Sequence, residues 1–403
     1  MKNEAILVGR PSVLRHTNAL NILKLLRESE SCSRADLVRA SGLSAPTITN
    51  VVKDLIAEDL VAPLGEGASR GGRPPDMMRF HAERGCLLAI DITVGSLRLL
   101  LTDLNGKPLE THEVSLRGRA TNPEAICALI GEESRLLLKK QKKTRKQLLV
   151  AVAGVPAIAN VAEGVVLSIT PFDQWRSVPL RAMLAKILGC LVVIQNDTNL
   201  AALGERYRGA AKESEDFVLI AIDKGVGAGI VIDGKVHVGA QWSAGEIGYL
   251  RLPYLSRRRT SLYEFGELEE VLGREGIVNS WQEGEGKAGS ARSKKAIHAE
   301  EVLDMAERGD VRAVKIVQDR AGMLADVIVN LSLILDPRLV LLCGPIGCHP
   351  VLLSFLRKQL EGSEFAVPEV GLGTLGEMAV RWGGISAALD VMPSVLLPAP
   401  VNG

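Results

Sequence analysis

The sequence predicts an α/β protein led by a small helical DNA-binding head, and three observations carry that reading. Residues 33–75 spell a helix, a tight turn, a second helix and a glycine-arginine flap. Residues 87–110 and 219–236 echo one another as strand, turn, strand and hairpin. The 403-residue chain is 47% hydrophobic but only 3% aromatic, enough aliphatic side chain for two or three domains.

Residues 13–28 form an amphipathic helix through Leu20, Leu23 and Leu26. Ser33 then caps a second helix, with Leu37 and Val38 facing inward, and Gly42 gives the turn its permissive backbone. Ser44 opens a third helix that tolerates Pro46 in its first turn. Its apolar stripe is Ile48, Val51, Val52, Leu55 and Ile56. Thr47, Thr49, Asn50 and Lys53 lie on the opposite face, small polar groups and one cation suited to base edges and phosphates in a major groove. Leu60 to Ala62 begin a strand that Gly65 and Gly67 break, and Met77 to Phe80 return. The tip, Ser69 to Pro75, carries Arg70, Gly72 and Arg73, outward arginines on a slim backbone that suit a minor groove. This is a winged helix-turn-helix. Residues 1–84 are assigned to it, with Arg34, Ser44, Thr47, Thr49, Asn50, Lys53, Arg70, Gly72 and Arg73 as DNA-binding candidates.

From residue 85 to 403 the pattern is α/β. Each echoed unit holds a buried strand ending in Ala-Ile-Asp and a hairpin at Asn105-Gly106 or Asp233-Gly234. Third strands follow at 148–156 and 338–347. Duplicated units of this kind imply two similar lobes with a ligand cleft between them. Residues 139–146 read as a solvated charge run after Leu136–Leu138, and residues 282–297 as a mobile loop.

Net charge is +1, so DNA contact rests on local arginines rather than on a global field. No signal peptide or membrane span is expected. Six scattered cysteines read as reduced, buried thiols in a cytoplasmic protein, and six unclustered histidines give no metal signature.

Chemistry concentrates in three stretches. Asn196-Asp197 follows a strand and opens a helix, where an amide and a carboxylate can bind adjacent sugar hydroxyls; Asp197 is also a candidate general base, or simply the helix cap. Glu246 sits between glycines in Ala244-Gly245-Glu246-Ile247-Gly248-Tyr249, and Gly266-Glu267-Leu268-Glu269 adds an acidic cluster whose alternative reading is a surface helix start.

Over nearly its whole length the chain resembles the ROK family (repressors, open reading frames and kinases), and within it the transcriptional-regulator branch. The resemblance rests on the N-terminal helices and Gly-Gly-Arg-Pro-Pro, then on residues 153–156, 196–205, 225–240 and 244–248 in order. It implies a duplicated actin-like body of the ASKHA, ribonuclease H-like type. It also implies that Asn196, Asp197 and Glu246 hydrogen-bond a sugar, with Glu269 at a further family glutamate and Tyr249 where the family has a sugar-contacting histidine. Asp197 matches the kinases' catalytic base.

Departures from the family decide between its branches. Where kinases carry Asp-Ile-Gly-Gly-Thr, this chain has Asp91-Ile92-Thr93-Val94-Gly95-Ser96, and Gly344-Pro345 replaces a Gly-Gly. Bulk and a missing N–H spoil the phosphate cradle on which phosphoryl transfer depends. The family's zinc ligands are absent too, with Tyr249 at the histidine position and no thiolate in residues 260–267, so no metal and no cofactor is expected. Arg257 to Arg259 read as a solvated run, with preference for an acidic or phosphorylated sugar as the alternative. The expected function is a sugar-responsive repressor of carbohydrate genes, not an enzyme, acting as a homodimer or homotetramer on double-stranded operator DNA with a small carbohydrate effector. The alternatives are an ATP-dependent sugar kinase and a repressor whose sugar site has decayed.

Overall fold

The computed structural model describes residues 11–67, 74–168, 174–255, 264–283, 297–361, 363 and 367–399. The chain opens with α1 (Pro11–Glu28), β1 (Cys32–Ser33), α2 (Arg34–Ser41), α3 (Ala45–Ala57), β2 (Val61–Glu66) and β3 (Asp76–Phe80). At the start of α2 the Ser33 hydroxyl accepts the Asp36 N–H at 3.3 Å, and the Asp36 carboxylate accepts the Ser33 N–H at 2.8 Å. This reciprocal cap satisfies two amide donors that the helix itself cannot. Ser33→Ala is expected to cost α2 about 1–2 kcal/mol, read as faster amide exchange in its first turn. Unchanged protection there would refute the assignment.

Gly42 ends α2 at φ 69°, a conformation that a side chain would strain. Ile48, Val51, Val52 and Leu55 of α3 pack with Ile22, Leu23, Leu26 and Leu37 in one buried cluster. Ile56 departs from the expected stripe and is 36% exposed, because a 100° step past Leu55 carries it beyond the groove that the other four fill. β2 and β3 pair antiparallel, and β1 adds to the far side of β3, giving the order β1-β3-β2. β2 runs through Gly65, φ 87°, to Glu66 with a register shift after Pro63, so that glycine bends the strand instead of ending it. The wing tip with Arg70, Gly72 and Arg73 lies outside the described residues.

The first lobe contains β4 (Cys86–Ile92), β5 (Ser96–Thr102), β6 (Pro108–Ser115), α4 (Pro123–Lys140) and β7 (Leu148–Val155). A small sheet follows from β8 (Ile158–Asn160), β9 (Val165–Ser168) and β10 (Arg176–Val178), then α5 (Leu180–Leu188) and β11 (Leu191–Asn196). α6 (Asp197–Arg208) crosses into the second lobe. That lobe holds β12 (Phe217–Ile222), β13 (Val226–Ile232), β14 (Lys235–Val236), α7 (Glu267–Leu272), α8 (Arg274–Glu283), α9 (Ala299–Glu307) and α10 (Val311–Leu335). It finishes with β15 (Leu339–Cys343), α11 (Gly344–Gly347), α12 (Pro350–Leu360) and β16 (Glu369–Leu372). Finally α13 (Ala379–Leu396) returns to pack on β4, β7 and α6.

The echo in the sequence is a structural duplication. One sheet runs β11-β7-β4-β5-β6 and the other β16-β15-β12-β13-β14. In each, the central strand pairs antiparallel with its hairpin partner and parallel with the later strand. Asp233 and Gly234 turn the second hairpin at φ 49° and 69°, the left-handed pair that a tight hairpin needs.

One surface expectation is corrected and one holds. Leu136 is 55% exposed while Leu137 and Leu138 are buried, since three consecutive helical positions cannot share one face. The run 139–146 is largely exposed, as expected, although Lys140 pairs with Glu110 at 3.0 Å and the Arg145 guanidinium donates to the carbonyls of Lys186 and Leu188. Residues 284–296, from the expected mobile loop, lie outside the described residues, as do Arg257 to Arg259. All six cysteines are free thiols, with Cys190 and Cys348 only half-buried. No helix among the described residues is long and apolar enough to cross a membrane.

Candidate functional site

Between the lobes lies a cleft of about 480 Å³, inside the roughly 300–1,000 Å³ range of small-molecule sites. The turn Thr93–Gly95, residues 156–158 and the start of α6 line it from the first lobe. Residues 223–228, Trp242, residues 244–246, Tyr249 and Glu269 line it from the second. Asn196, Asp197, Glu246, Tyr249 and Glu269, all selected from sequence, therefore share one cavity.

Their hydrogen bonds separate them by role. Asn196 caps α6, its side-chain oxygen accepting the Asn199 N–H at 3.0 Å and its amide donating to the Ala157 carbonyl at 3.3 Å. The cap reading of Asp197 is thereby overturned, because its neighbour occupies that position. Asp197 instead accepts the Thr198 N–H at 2.7 Å. Burial raises its pKa from 3.8 to about 6, the Thr198 N–H opposes the rise, and the Glu246 charge adds to it. Burial, and then the charge of Glu269, raises Glu246 to about 7. Glu269 spans two backbone donors, the N–H of Val226 at 3.0 Å and of Gly266 at 2.9 Å. It is a strut between β13 and α7 as well as cleft lining. Burial raises its pKa, against those two N–H groups.

At the other end, three amides of the turn after β4 are taken up within the turn itself. The Thr93 hydroxyl accepts the N–H of Gly95 at 3.2 Å and of Ser96 at 2.9 Å, and the Thr93 N–H donates to the Ser96 carbonyl. Donors that cradle a phosphate in a kinase loop are spent on a side chain here. Pro345 occupies the first turn of α11, where it supplies no N–H. Such a donor set fits a nucleotide phosphate poorly. Zinc does not fit either: the Tyr249 hydroxyl donates to the Glu264 carbonyl at 2.8 Å, a neutral phenol where an imidazole would be needed. What remains is a set of carboxyl groups whose pKa values burial raises, suited to exchanging hydrogen bonds with a polyol.

On the head, Thr49, Asn50 and Lys53 lie exposed along α3, and Thr47 is half-exposed. Ser44 and Thr47 hydroxyls bond each other at 2.9 Å, and Ser44 also caps the helix. Arg34 pairs with Asp76 of β3 at 3.5 Å, which ties α2 to the returning wing strand.

Sequence reasoning missed three residues that the fold makes prominent. Asp91, at the end of β4, is 2% exposed, 3.9 Å from Arg98 and within electrostatic reach of Asp197. Glu205, on α6, is 0% exposed and accepts hydrogen bonds from distant backbone. Trp242 lines the cleft; a tryptophan beside a glycine-bounded carboxylate in so aromatic-poor a chain was the available signal.

Together these features define a class in which a winged helix-turn-helix head is joined to an actin-like two-lobe body with a small-molecule cleft. The chain belongs to the ROK family, whose profile matches residues 87–369. A winged helix-turn-helix DNA-binding profile matches residues 15–62. The xylose repressor of Caldicellulosiruptor bescii is 29% identical over 247 residues, 61% of this chain and 61% of that protein. The crystal structure of a ROK family transcriptional regulator, a homolog of the E. coli MLC protein, superposes with a TM-score of 0.78 at 23% identity, covering 95% of this chain and 98% of that one. The ROK hexokinase of Thermus thermophilus superposes at 0.63 and 21% identity over 76% of this chain and 99% of its own. It shares the body fold.

Proposed function

We propose that this protein is a sequence-specific transcriptional regulator, a cytoplasmic repressor of carbohydrate-metabolism genes that a small sugar releases from its operator. The observation that carries the reading is a combination in one chain. An exposed polar face on α3 is joined, in the same chain, to a carboxyl-lined cleft at one end of which the Thr93 hydroxyl takes up two turn amides. Residues 1–84 read DNA, with Asn50 at base edges, Lys53 at a phosphate, and Arg70 and Arg73 of the wing in the minor groove. Residues 85–403 bind the effector through Asp197 and Glu246. Two copies act together, because one head buries too little surface for strong specificity. The repressor relatives support this reading, and the spent phosphate turn argues against the kinase alternative.

The test is selection of genomic fragments by the full-length protein, with and without a panel of sugars. One two-fold site is expected, released by one sugar. Lys53→Ala should weaken binding to all sequences alike, whereas Asn50→Ala should cost about 1–3 kcal/mol and relax preference at one base pair. ATP-dependent phosphorylation of any hexose, or no enriched site, would overturn the proposal.

A further inference from the structure

Trp242 has a backbone φ of 62°. The other non-glycine residues in this left-handed region, among the described residues, are Asp59, Lys142, Gln174, Ser177, Asp233 and Asp336, all of them polar. Asparagine and aspartate tolerate it and glycine adopts it freely, but a bulky aromatic side chain is strained there. The surrounding loop leaves no room to relax. Gly239 and Gly245 bracket it at φ 72° and 90°, and the Gly245 carbonyl accepts the Ala228 N–H at 2.7 Å. A Cβ on Gly245 would stand 2.0 Å from the Ala228 carbonyl oxygen, so this loop lies flat on β13. The strained residue is thus held by a pinned loop, and its side chain lines the effector cleft. Backbone strain of this kind collects at ligand clamps.

Composition and charge point the same way. The whole chain has 4 Trp, 4 Tyr and 6 Phe, yet Trp242, Tyr249 and Phe265 all line this one cleft. The charged groups among its described lining are Asp197, Asp223, Glu246 and Glu269 against Lys224. An aromatic wall beside several carboxyl groups matches a molecule with an apolar C–H face and a hydroxyl-bearing rim. It disfavours a phosphate ester, whose charge would meet carboxylates of its own sign. We propose that Trp242 is the platform on which the effector ring stacks, and that the effector is an unphosphorylated monosaccharide. This deepens the sugar-responsive reading above and rests on it.

The test uses the full-length protein, its intrinsic tryptophan fluorescence and its melting temperature. Each is titrated with neutral monosaccharides and with the corresponding sugar phosphates. One neutral sugar should shift both signals in the wild type. Trp242→Ala should weaken that sugar at least about tenfold, the loss expected when stacking and ring burial both disappear. Trp242→Phe, which keeps a ring, should bind within about threefold of wild type by melting temperature while losing the fluorescence change. Equal binding by Trp242→Ala and the wild type would overturn the platform and leave the sugar sensor standing. A sugar phosphate bound more tightly than its parent sugar would overturn the ligand class. A wild type that answers to no sugar would overturn this inference together with the effector half of the proposed function.

Discussion

Glu205→Ala is expected to lower the stability of the folded chain by about 3–5 kcal/mol, measured by urea unfolding followed by circular dichroism. The side chain is fully buried on α6, and its carboxylate answers four donors. Oε1 accepts the N–H groups of Thr374 and Leu375, each at 2.9 Å, while Oε2 accepts the Ala210 N–H at 2.8 Å and the Thr374 hydroxyl at 3.2 Å. Alanine would leave three backbone N–H groups without that acceptor, in a space too tight for easy repacking. A Cβ at Gly209 would stand 1.9 Å from one carboxylate oxygen, and one at Gly373 would stand 2.9 Å from the other. Position matters as much as burial. The first crossing between lobes is α6, and residues 373–378 make the second, from β16 to α13. Glu205 clamps the two together. Glu205→Gln should lose less, since it keeps one acceptor but turns an amide donor toward donors. A loss under about 1 kcal/mol for the alanine variant would sink the clamp argument.

The same helix begins at Asp197 in the cleft, eight residues before Glu205, a rise of roughly 12 Å. One rigid element therefore joins the candidate sugar contact to the inter-lobe clamp. At the crossing, α6 and α13 touch through backbone. A Cβ on Gly383 would lie 1.7 Å from the Leu200 carbonyl oxygen, and one on Gly204 would lie 2.0 Å from that of Ala379. Such a contact slides or pivots as a unit instead of deforming side chain by side chain. Under the proposed function, a ligand that prefers one lobe arrangement would act through this pair of helices.

Much of the fold is legible in local chemistry. Ser33, Gly42 and Ser44 punctuate the head because caps and left-handed turns depend on single residues. The duplicated sheets announce themselves through two apolar strands and two glycine hairpins, signals that need no tertiary knowledge. What escaped depends on partners far away in the chain. The two-residue strand β1 exists only because Met77 and Met78 pair with it. The small sheet β8-β9-β10 joins three short segments without a strong alternating pattern. In the site, Asn196 and Asp197 are adjacent residues of equal capping ability, so only the structure assigns the cap. Glu205 reads as one more polar helix residue until the segment 374–375, far along the chain, arrives at its carboxylate.

Asp91→Asn should make the protein more stable at pH 8 while leaving it unchanged near pH 4. Burial raises the Asp91 pKa from 3.8 to about 7; the Asp197 charge adds to the rise, and Arg98 and Arg381 oppose it. Between those values the folded chain keeps a proton that the unfolded chain has released. Stability from this group is therefore full below about pH 4 and falls as pH climbs toward 7, by about 4 kcal/mol for a shift of roughly three units. Asparagine is neutral throughout and escapes the loss. Arg98 is not orphaned by the change, since Glu113 at 2.9 Å and Glu377 at 2.8 Å hold it more closely than Asp91 does at 3.9 Å. Urea unfolding of both proteins across pH 4–8 isolates the effect, because every other titrating group is common to the pair. If Asp91→Asn were less stable at pH 8, Arg98 would stabilise the ionised carboxylate by more than burial penalises it. A protonated Asp91 instead spares Asp197 a neighbouring negative charge.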